Sequence, residues 1–432
     1  MDRSAYLSPG RPVVELKIGD TVIEATAHLE TFSSVVYAGG SAAKTSITLY
    51  DPEYDLIEAM LKKLSKTSQT KDPTFIPVSH RYGWVNGQMS PWRKGILSSY
   101  RPRLAEQGVH IDLTTTDFTA VYGLRQEGKV WDLTKDLGTQ SVGETAATTG
   151  TVPTISGLVK LLAALMGFPY DSTTIVETQP TERTLIGQHN YSIPEFIQYV
   201  LCPLAISTNG DGDYRFWIDD HGRLNFRPAI LSAPKYHYIV GRTSSEYDSE
   251  VISFVPSFDG MRTLADGAGA CTATGYNPLD GSLLSGVADE PVNDGTTATL
   301  TTPTIHFPSE TGRLYTLPYA DDASLAAWRT AKTTAARLRF VSADMTVIGR
   351  TDISPLDVVH ITVLKRGSPN DPLSFYTGDY LVQGVEQTIR NGMFTTSLKL
   401  SSPAFSAAAE APAATTTTSP QSPGSTVQSV PE

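Results

Sequence analysis

The sequence predicts a mainly β protein in which two strand-rich regions flank a small α+β module. Two patterns carry that expectation: apolar and polar residues alternate with period two near both ends, and helical periodicity is concentrated between them. With 432 residues, the chain is long enough for about two to four ordinary domains. Its 40% hydrophobic content is that of a globular protein, and its 18% charged content falls below the usual roughly 25%, which excludes collagenous, coiled-coil and wholly disordered classes. A formal charge of −11 argues against a protein built to grip nucleic acid.

The first region spans residues 1–137. Val14, Leu16 and Ile18 alternate with Glu15 and Lys17, and Gly19-Asp20 supplies a turn, so residues 12–18 and 21–29 read as a hairpin. Strands follow at 32–37 and 44–49. After Asp51-Pro52 the period changes, and Leu56, Ile57, Met60, Leu61 and Leu64 fall on one helical face. Strand patterns return at 74–84 and 108–115.

The second region, 138–235, opens with a Gly-, Ser-, Thr- and Ala-rich bridge over 138–154. Ser156 is the expected cap of a helix running through Leu158 to Gly167, and Ser192-Ile193-Pro194 opens another through Phe196, Ile197, Val200 and Leu201. Runs 214–218 and 224–226 flank Asp219-Asp220-His221-Gly222-Arg223, which has the turn chemistry of a hairpin tip.

The third region, 236–403, is again strand-rich, with β-branched and aromatic runs at 249–256, 263–276, 358–364, 379–386 and 393–400. One helix interrupts it, marked by Leu325, Trp328, Ala331, Ala335 and Leu338 at helical spacing. Residues 277–313, rich in Gly, Asp, Thr and Pro, read as a long surface excursion. From 404 to 432 the chain is a low-complexity tail too poor in apolar residues to offset its ordering entropy, and is expected to be disordered when free.

Most enzyme classes lose support. No apolar leader opens the chain, and the longest apolar stretch, 158–168, contains Lys160 and is short of the roughly 18 residues of a membrane span, so synthesis and folding in a cytosol are expected. Cys202 and Cys271 make neither a disulfide framework nor a zinc site, and read as small buried hydrophobes. The eight histidines show no i, i+2 or i, i+4 metal spacing and no His-Glu-x-x-His. Asn209-Gly210-Asp211-Gly212-Asp213 alternates oxygen side chains as part of a calcium loop does, but the closing Glu is missing, so it reads as a plain loop. Phosphate-binding glycine loops and the Gly-x-Ser-x-Gly elbow are absent, and Gly267-x-Gly269 lies in strand-like text. Asp219-Asp220, Asp289-Glu290 and Asp321-Asp322 are acid pairs whose adjacent members point to different sides, so each reads as a solvated turn or helix start. No catalytic residue, cofactor or metal is assigned.

One surface stands out. Arg81, Arg93, Lys94, Arg101 and Arg103 interleave with Tyr82, Trp84, Trp92 and Tyr100 on an otherwise acidic chain. Arg81, Trp84, Trp92, Arg93 and Arg101 are the candidate protein-interface residues, facing an acidic partner or a neighbouring subunit, with a solvated loop as the alternative reading.

The C-terminal runs DISPLDVVHITV (352–363), YTGDYLVQGVEQ (376–387) and GMFTTSLKL (392–400) resemble the closing strands of phage tail and baseplate hub proteins, the gpD-like late control family. YRFWIDDHGRLNFRP (214–228) is similar to that family's hairpin, 249–258 to its "ev..f.p.f" strand, and ATGYNPLDG (273–281) to its "v.gynp.tG" segment. Leu49-Tyr50-Asp51-Pro52 and Arg81-Tyr82-Gly83-Trp84 fit more loosely. The likeness runs in order from about 10 to about 402; the 277–313 excursion and the tail have no counterpart in it.

The resemblance implies two tail-tube-like β-barrel domains plus the small helical α+β domain. It further implies a non-enzymatic virion protein: a homotrimeric ring that joins the tail tube protein to the central spike protein, contacts tape measure and wedge proteins, and lets DNA pass without specific binding. Three chains would carry 3 × −11 = −33, a wall that repels phosphate. Two other readings stand beside it. A carbohydrate-active or receptor-binding tail protein would use the dispersed tryptophans and acid pairs, and a spike–hub fusion of type VI secretion would need a repetitive β-helix after residue 402 that the sequence lacks.

Overall fold

The computed structural model describes residues 10–18, 21–40, 42–56, 58, 62, 75–137, 153–181, 185–241, 250–258, 272–276, 283–285, 314–317, 338, 341–365, 368–372 and 376–403. The bridge up to 152, most of the helix expected after Pro52, all but the last residue of the helix expected at 325–338, most of the 277–313 excursion, Cys271, the second and third acid pairs and the 404–432 tail lie outside the described residues.

The described chain is mainly β, as the alternation predicts. Its strands are β1 Pro12–Ile18, β2 Thr21–Glu24, β3 Leu29–Tyr37, β4 Lys44–Asp51, β5 Pro77–Trp84, β6 Arg93–Ala105 and β7 Gly108–Thr116 in the first region. β1 buries Val14, Leu16 and Ile18 and leaves Glu15 and Lys17 half-exposed, the arrangement that a strand with one covered face requires. The expected hairpin forms, with β1 antiparallel to β2. Strand geometry stops at Glu24, and a 3₁₀ turn at Ala25–His28 leads into β3. The Thr26 hydroxyl accepts from Val14 N at 3.0 Å and reaches Val14 O at 3.2 Å, tying that turn back across β1. The inner faces of β1, β3, β4, β5 and β7 converge on one core that includes Leu16, Phe32, Ile47, Tyr82 and Ile111, so these strands curl into a barrel-like wall.

β6 was not visible as a strand, because its basic and aromatic residues mask the alternation. Arg93–Ile96 pair with β5, and Ile96–Ala105 pair with β7. Pro102 sits in the second half, where one side of the strand has no partner among the described strands, which is where a residue without an N–H is tolerated.

The middle region holds β8 Gln126–Glu127, β9 Val130–Asp132, β10 Leu185–Gly187, β11 Tyr191–Ser192, and the hairpin β12 Tyr214–Ile218 with β13 Leu224–Pro228. Short helices α1 Thr119–Tyr122 and α2 Leu133–Asp136 precede α3 Ile155–Met166 and α4 Ile193–Phe196. Thr154, not Ser156, caps α3: its bridge to Pro180 holds it extended, and its hydroxyl accepts from Gly157 N at 3.0 Å. Gly167 ends the helix at φ 72°, a left-handed cap that glycine adopts at least cost. Ser192 and Glu195 form a capping box on α4, which continues as a π-helical turn over Ile197–Leu201 into Cys202–Leu204. Pro203 has no N–H to return to the preceding turn, a local cause for that widening. Cys202 is buried, as expected.

The module's core reaches upstream of the boundary read from composition. Trp131 and Leu133 are fully inside it, with Phe118, Tyr122 and Leu137 packed against it. Apolar burial, rather than the change to low-complexity text at 138, decides which residues belong together.

The third region contributes β14 Tyr236–Val240, β15 Val251–Phe258, β16 Thr272–Tyr276, β17 Leu283–Ser285, β18 Leu314–Leu317, β19 Val341–Ile348, β20 Val358–Lys365, β21 Ser368–Pro372, β22 Gly378–Arg390 and β23 Met393–Ser402. β16, β17 and β18 form a separate small sheet. The others join the strands of the first region in one 14-stranded sheet, whose main path runs β15-β19-β23-β22-β3-β4-β7-β6-β5-β1-β2. Continuity between the two strand-rich regions is the architectural fact that local periodicity could not reveal.

Candidate functional site

The two regions meet on β22. Along one edge it pairs with β23 over Leu381–Arg390; along the other it carries β20 against Gly378–Leu381 and then β3 against Gly384–Arg390. The change of partner falls at a register shift between Val382 and Gly384. There Ala38 N donates to Gln383 O at 3.0 Å and Leu356 N to Val382 O at 2.7 Å, so backbone groups freed by the bulge are satisfied. A small apolar cluster sits at this fork, drawn from Val36 and Ala43 of the first region, Trp217 and Ala229 of the module, and Val358 and Leu381 of the third.

Between the apolar cores of the two regions runs a buried polar row. Thr396 faces Gln387, Gln387 faces Ser34, Ser34 faces Thr45, and Thr45 faces Thr115, in register across β23, β22, β3, β4 and β7. All five side chains are buried. On β23 the inward sequence is Phe394, Thr396, Leu398, so one strand passes from the first core through the polar row into the second. Gln387 is held at both ends: Thr396 Oγ1 donates to its Oε1 at 2.7 Å, and its Nε2 donates to Arg350 O at 2.7 Å.

Arg93 and His80 close over this row from β6 and β5. Arg93 donates to Ser34 Oγ at 2.7 Å and forms an ion pair with Asp220, at the tip of the β12–β13 hairpin. Thr45 Oγ1 donates to Ser34 Oγ at 3.0 Å, so His80 Nε2, 3.2 Å from Thr45 Oγ1, is the donor of that contact. Burial, and then the Arg93 charge, hold the His80 imidazole down to about 3, so it is neutral at physiological pH. Asp117 lies nearby and accepts from Ala43 N at 2.6 Å and from Thr119; burial pushes its carboxyl up despite those bonds.

These contacts revise the interface assignment. Arg93 is buried and spent on Asp220 of its own chain. Trp84 points inward too: its indole donates to Gly349 O at 3.0 Å and packs on Phe394 at 5.4 Å, bridging the first and third regions. Arg81 is paired with Glu15 at 2.7 Å and lies 4.8 Å over the half-buried Trp92 ring. Arg101 is exposed on the second half of β6, which pairs with β7 on one side only among the described strands. The acid pair changes as well. Asp220 is not a solvated turn residue, and Asp219 accepts from His221 N and Arg223 N at 2.9 Å and binds the Arg223 guanidinium, fixing the hairpin tip. The burial of a charge at this tip had no sequence signal, because its partner Arg93 is remote in the chain.

At the end of the main sheet path, β15 has no outer partner among the described strands and exposes Ile252, Val255 and Phe258. The second half of β6 is similarly open, with Leu104 76% exposed. Among the described residues, no group of three His, Cys, Asp or Glu side chains forms a metal site, and no helix is long and apolar enough to cross a membrane.

No family model and no curated protein matches the sequence. Solved structures do match the fold. A tail protein from Neisseria meningitidis MC58 aligns with a TM-score of 0.56 at 13% identity, over 92% of this chain and 98% of that one. The 43 kDa tail protein of prophage MuSo2 from Shewanella oneidensis aligns with a TM-score of 0.53 at 11% identity, over 91% of this chain and 98% of that one. Nearly the whole of each tail protein is covered, so the likeness is to the complete arrangement of two β regions and a module rather than to one shared barrel. The chain has the fold of phage tail proteins.

Proposed function

We propose that the chain is a structural hub of a phage tail, in which three copies form a ring that continues the tail tube and adapts it to a threefold central spike. The single observation that carries this reading is the β22 fork, which sets two β regions of one chain side by side in a continuous sheet. Three such chains would place six β regions around an axis. The open edges at β15 and the outer half of β6 support it, since pairing between copies would cover strand edges that otherwise invite aggregation. The proposed external contacts, to a neighbouring copy or to the tube and spike proteins, lie at Arg81, Trp92 and Arg101; Trp84 and Arg93 brace the same surface from inside. Tape measure and wedge proteins are further proposed partners in the virion. A summed charge of 3 × −11 = −33 suits a lumen through which DNA passes without being held. No catalytic role is proposed, and the carbohydrate-active reading loses its support where Asp219 and Asp220 are committed to Arg223 and Arg93.

Mass photometry and negative-stain imaging of the full chain, alone and with tube and spike proteins, test the reading. A ring with six lobes and a mass of three 46.6 kDa chains is expected. A monomer that neither closes into a ring nor enters tails would overturn it.

A further inference from the structure

The histidines that sequence spacing kept apart include two that the sheet brings together. β14 pairs parallel with β20, with His237 opposite His360, and β20 pairs with β22, with His360 opposite Asp379. His237, His360 and Asp379 therefore stand in one row across three neighbouring strands. Their chain neighbours Tyr236, Tyr238, Val359, Ile361 and Tyr380 are buried, so the row lies on the outer, solvent-facing side.

We propose that His237 and His360 form a two-imidazole site for a borderline divalent cation of the zinc, nickel or copper(II) class, with Asp379 as the positioning carboxylate. Two imidazoles sharing one tetrahedral ion at about 2.0–2.1 Å per Zn–N bond have ring centroids roughly 5 Å apart. The two rings here stand 5.4 Å apart at 40°. His360 Nδ1 lies 2.6 Å from Asp379 Oδ1, so it donates to that carboxylate and leaves the Nε2 lone pair facing outward. A carboxylate behind a histidine in this way fixes tautomer and ring direction and raises the basicity of the metal-binding nitrogen. The Asp379 backbone is itself anchored, its carbonyl accepting from Ser402 Oγ at 3.0 Å. The His237 ring makes no hydrogen bond among the described residues, so it is available to the ion. Water completes the coordination shell, and imidazole ligands select this cation class over calcium or magnesium.

Calorimetric titration of ZnCl2 into the full chain tests the site. One zinc per chain is expected, lost in both His237→Asn and His360→Gln. Asp379→Asn should weaken binding by about 10- to 100-fold, the usual effect of removing such an outer partner. His110→Gln, at a histidine paired with Glu30 elsewhere, should leave the stoichiometry and affinity unchanged. His237 is exposed on an edge strand, so its variant keeps the fold and the circular dichroism spectrum of the parent. Absence of saturable zinc binding, or binding that survives His237→Asn or disappears in His110→Gln, would overturn the assignment.

Discussion

Two seams hold this chain together, and they are built from opposite chemistry. The β3–β22 seam is a backbone ladder from Tyr37 against Gly384 to Thr31 against Arg390, with Ile389 and Phe394 of the third region reaching into the core of the first. The seam between the module and the sheet rests more on side chains: the Arg93–Asp220 and Lys235–Asp357 ion pairs and the small cluster around Trp217 and Ala229, with backbone bonds from Gly40 N to Phe216 O and from Lys235 N to Val358 O, each at 2.8 Å. Opening the first seam strips a row of ladder groups and uncovers apolar surface, whereas the second depends heavily on ion pairs. The difference identifies the two β regions as the stiff unit of the chain and the module as an attachment to it.

The sharpest way to break that contrast is Phe394→Ala. Phe394 packs against Tyr82 and Trp84 from the other region, and its truncation should cost about 3–5 kcal/mol in a single urea transition. A second, separate transition would show that the two β regions do not share a core.

Asp220→Ala should cost less, about 2–3 kcal/mol, because Asp220 keeps partial contact with water while Arg93 is left buried without its partner. The loss should be confined to protection of the module's amides, and Arg93→Met in the same chain should recover most of it. Equal loss across the β3–β22 ladder would erase the distinction between the seams.

Acid should act through His80. Its folded-state value of about 3 lies below the ordinary 6.5, so the stability tied to its neutral form is fully present above pH 6.5 and is lost as pH falls toward 3. The slope of this contribution is about 1.4 kcal/mol per pH unit inside that window. Urea midpoints of parent and His80→Gln should therefore converge between pH 6.5 and pH 4.5; a gap that stays constant would contradict the burial of a neutral imidazole.

Arg101→Glu should produce the smallest change in stability, within about 0.5 kcal/mol, because the side chain is exposed. Its effect should appear in assembly instead, as a lower trimer fraction by mass photometry. An unchanged fraction would remove Arg101 from the proposed interface.

Legibility in the sequence followed locality. β1, the β12–β13 hairpin and β23 were readable because their alternation or turn chemistry is contained in a few neighbouring residues. β19 carries an equally clean pattern, with Val341, Ala343, Met345 and Val347 buried between exposed or half-exposed neighbours, but it directly follows an expected helix, whose period masks it. The polar row and the fork could not be read at all. Their partners are distant in the chain, as the 353-residue separation of Ser33 and Glu386, bonded at 3.2 Å across the seam, illustrates. Arg93 looked like a surface charge for the same reason: composition marks a cation, and only the fold supplies Asp220.

Amide hydrogen exchange across the β3–β22 seam tests the central claim most directly. If the two β regions are one continuous sheet, the amides of Phe32 to Val36 and Val385 to Ile389 should be as protected as those of the β22–β23 ladder, and should stay so in Asp220→Ala. Fast exchange along both seam strands, with the flanking ladders still protected, would show that the regions are separate barrels in contact and would contradict the account.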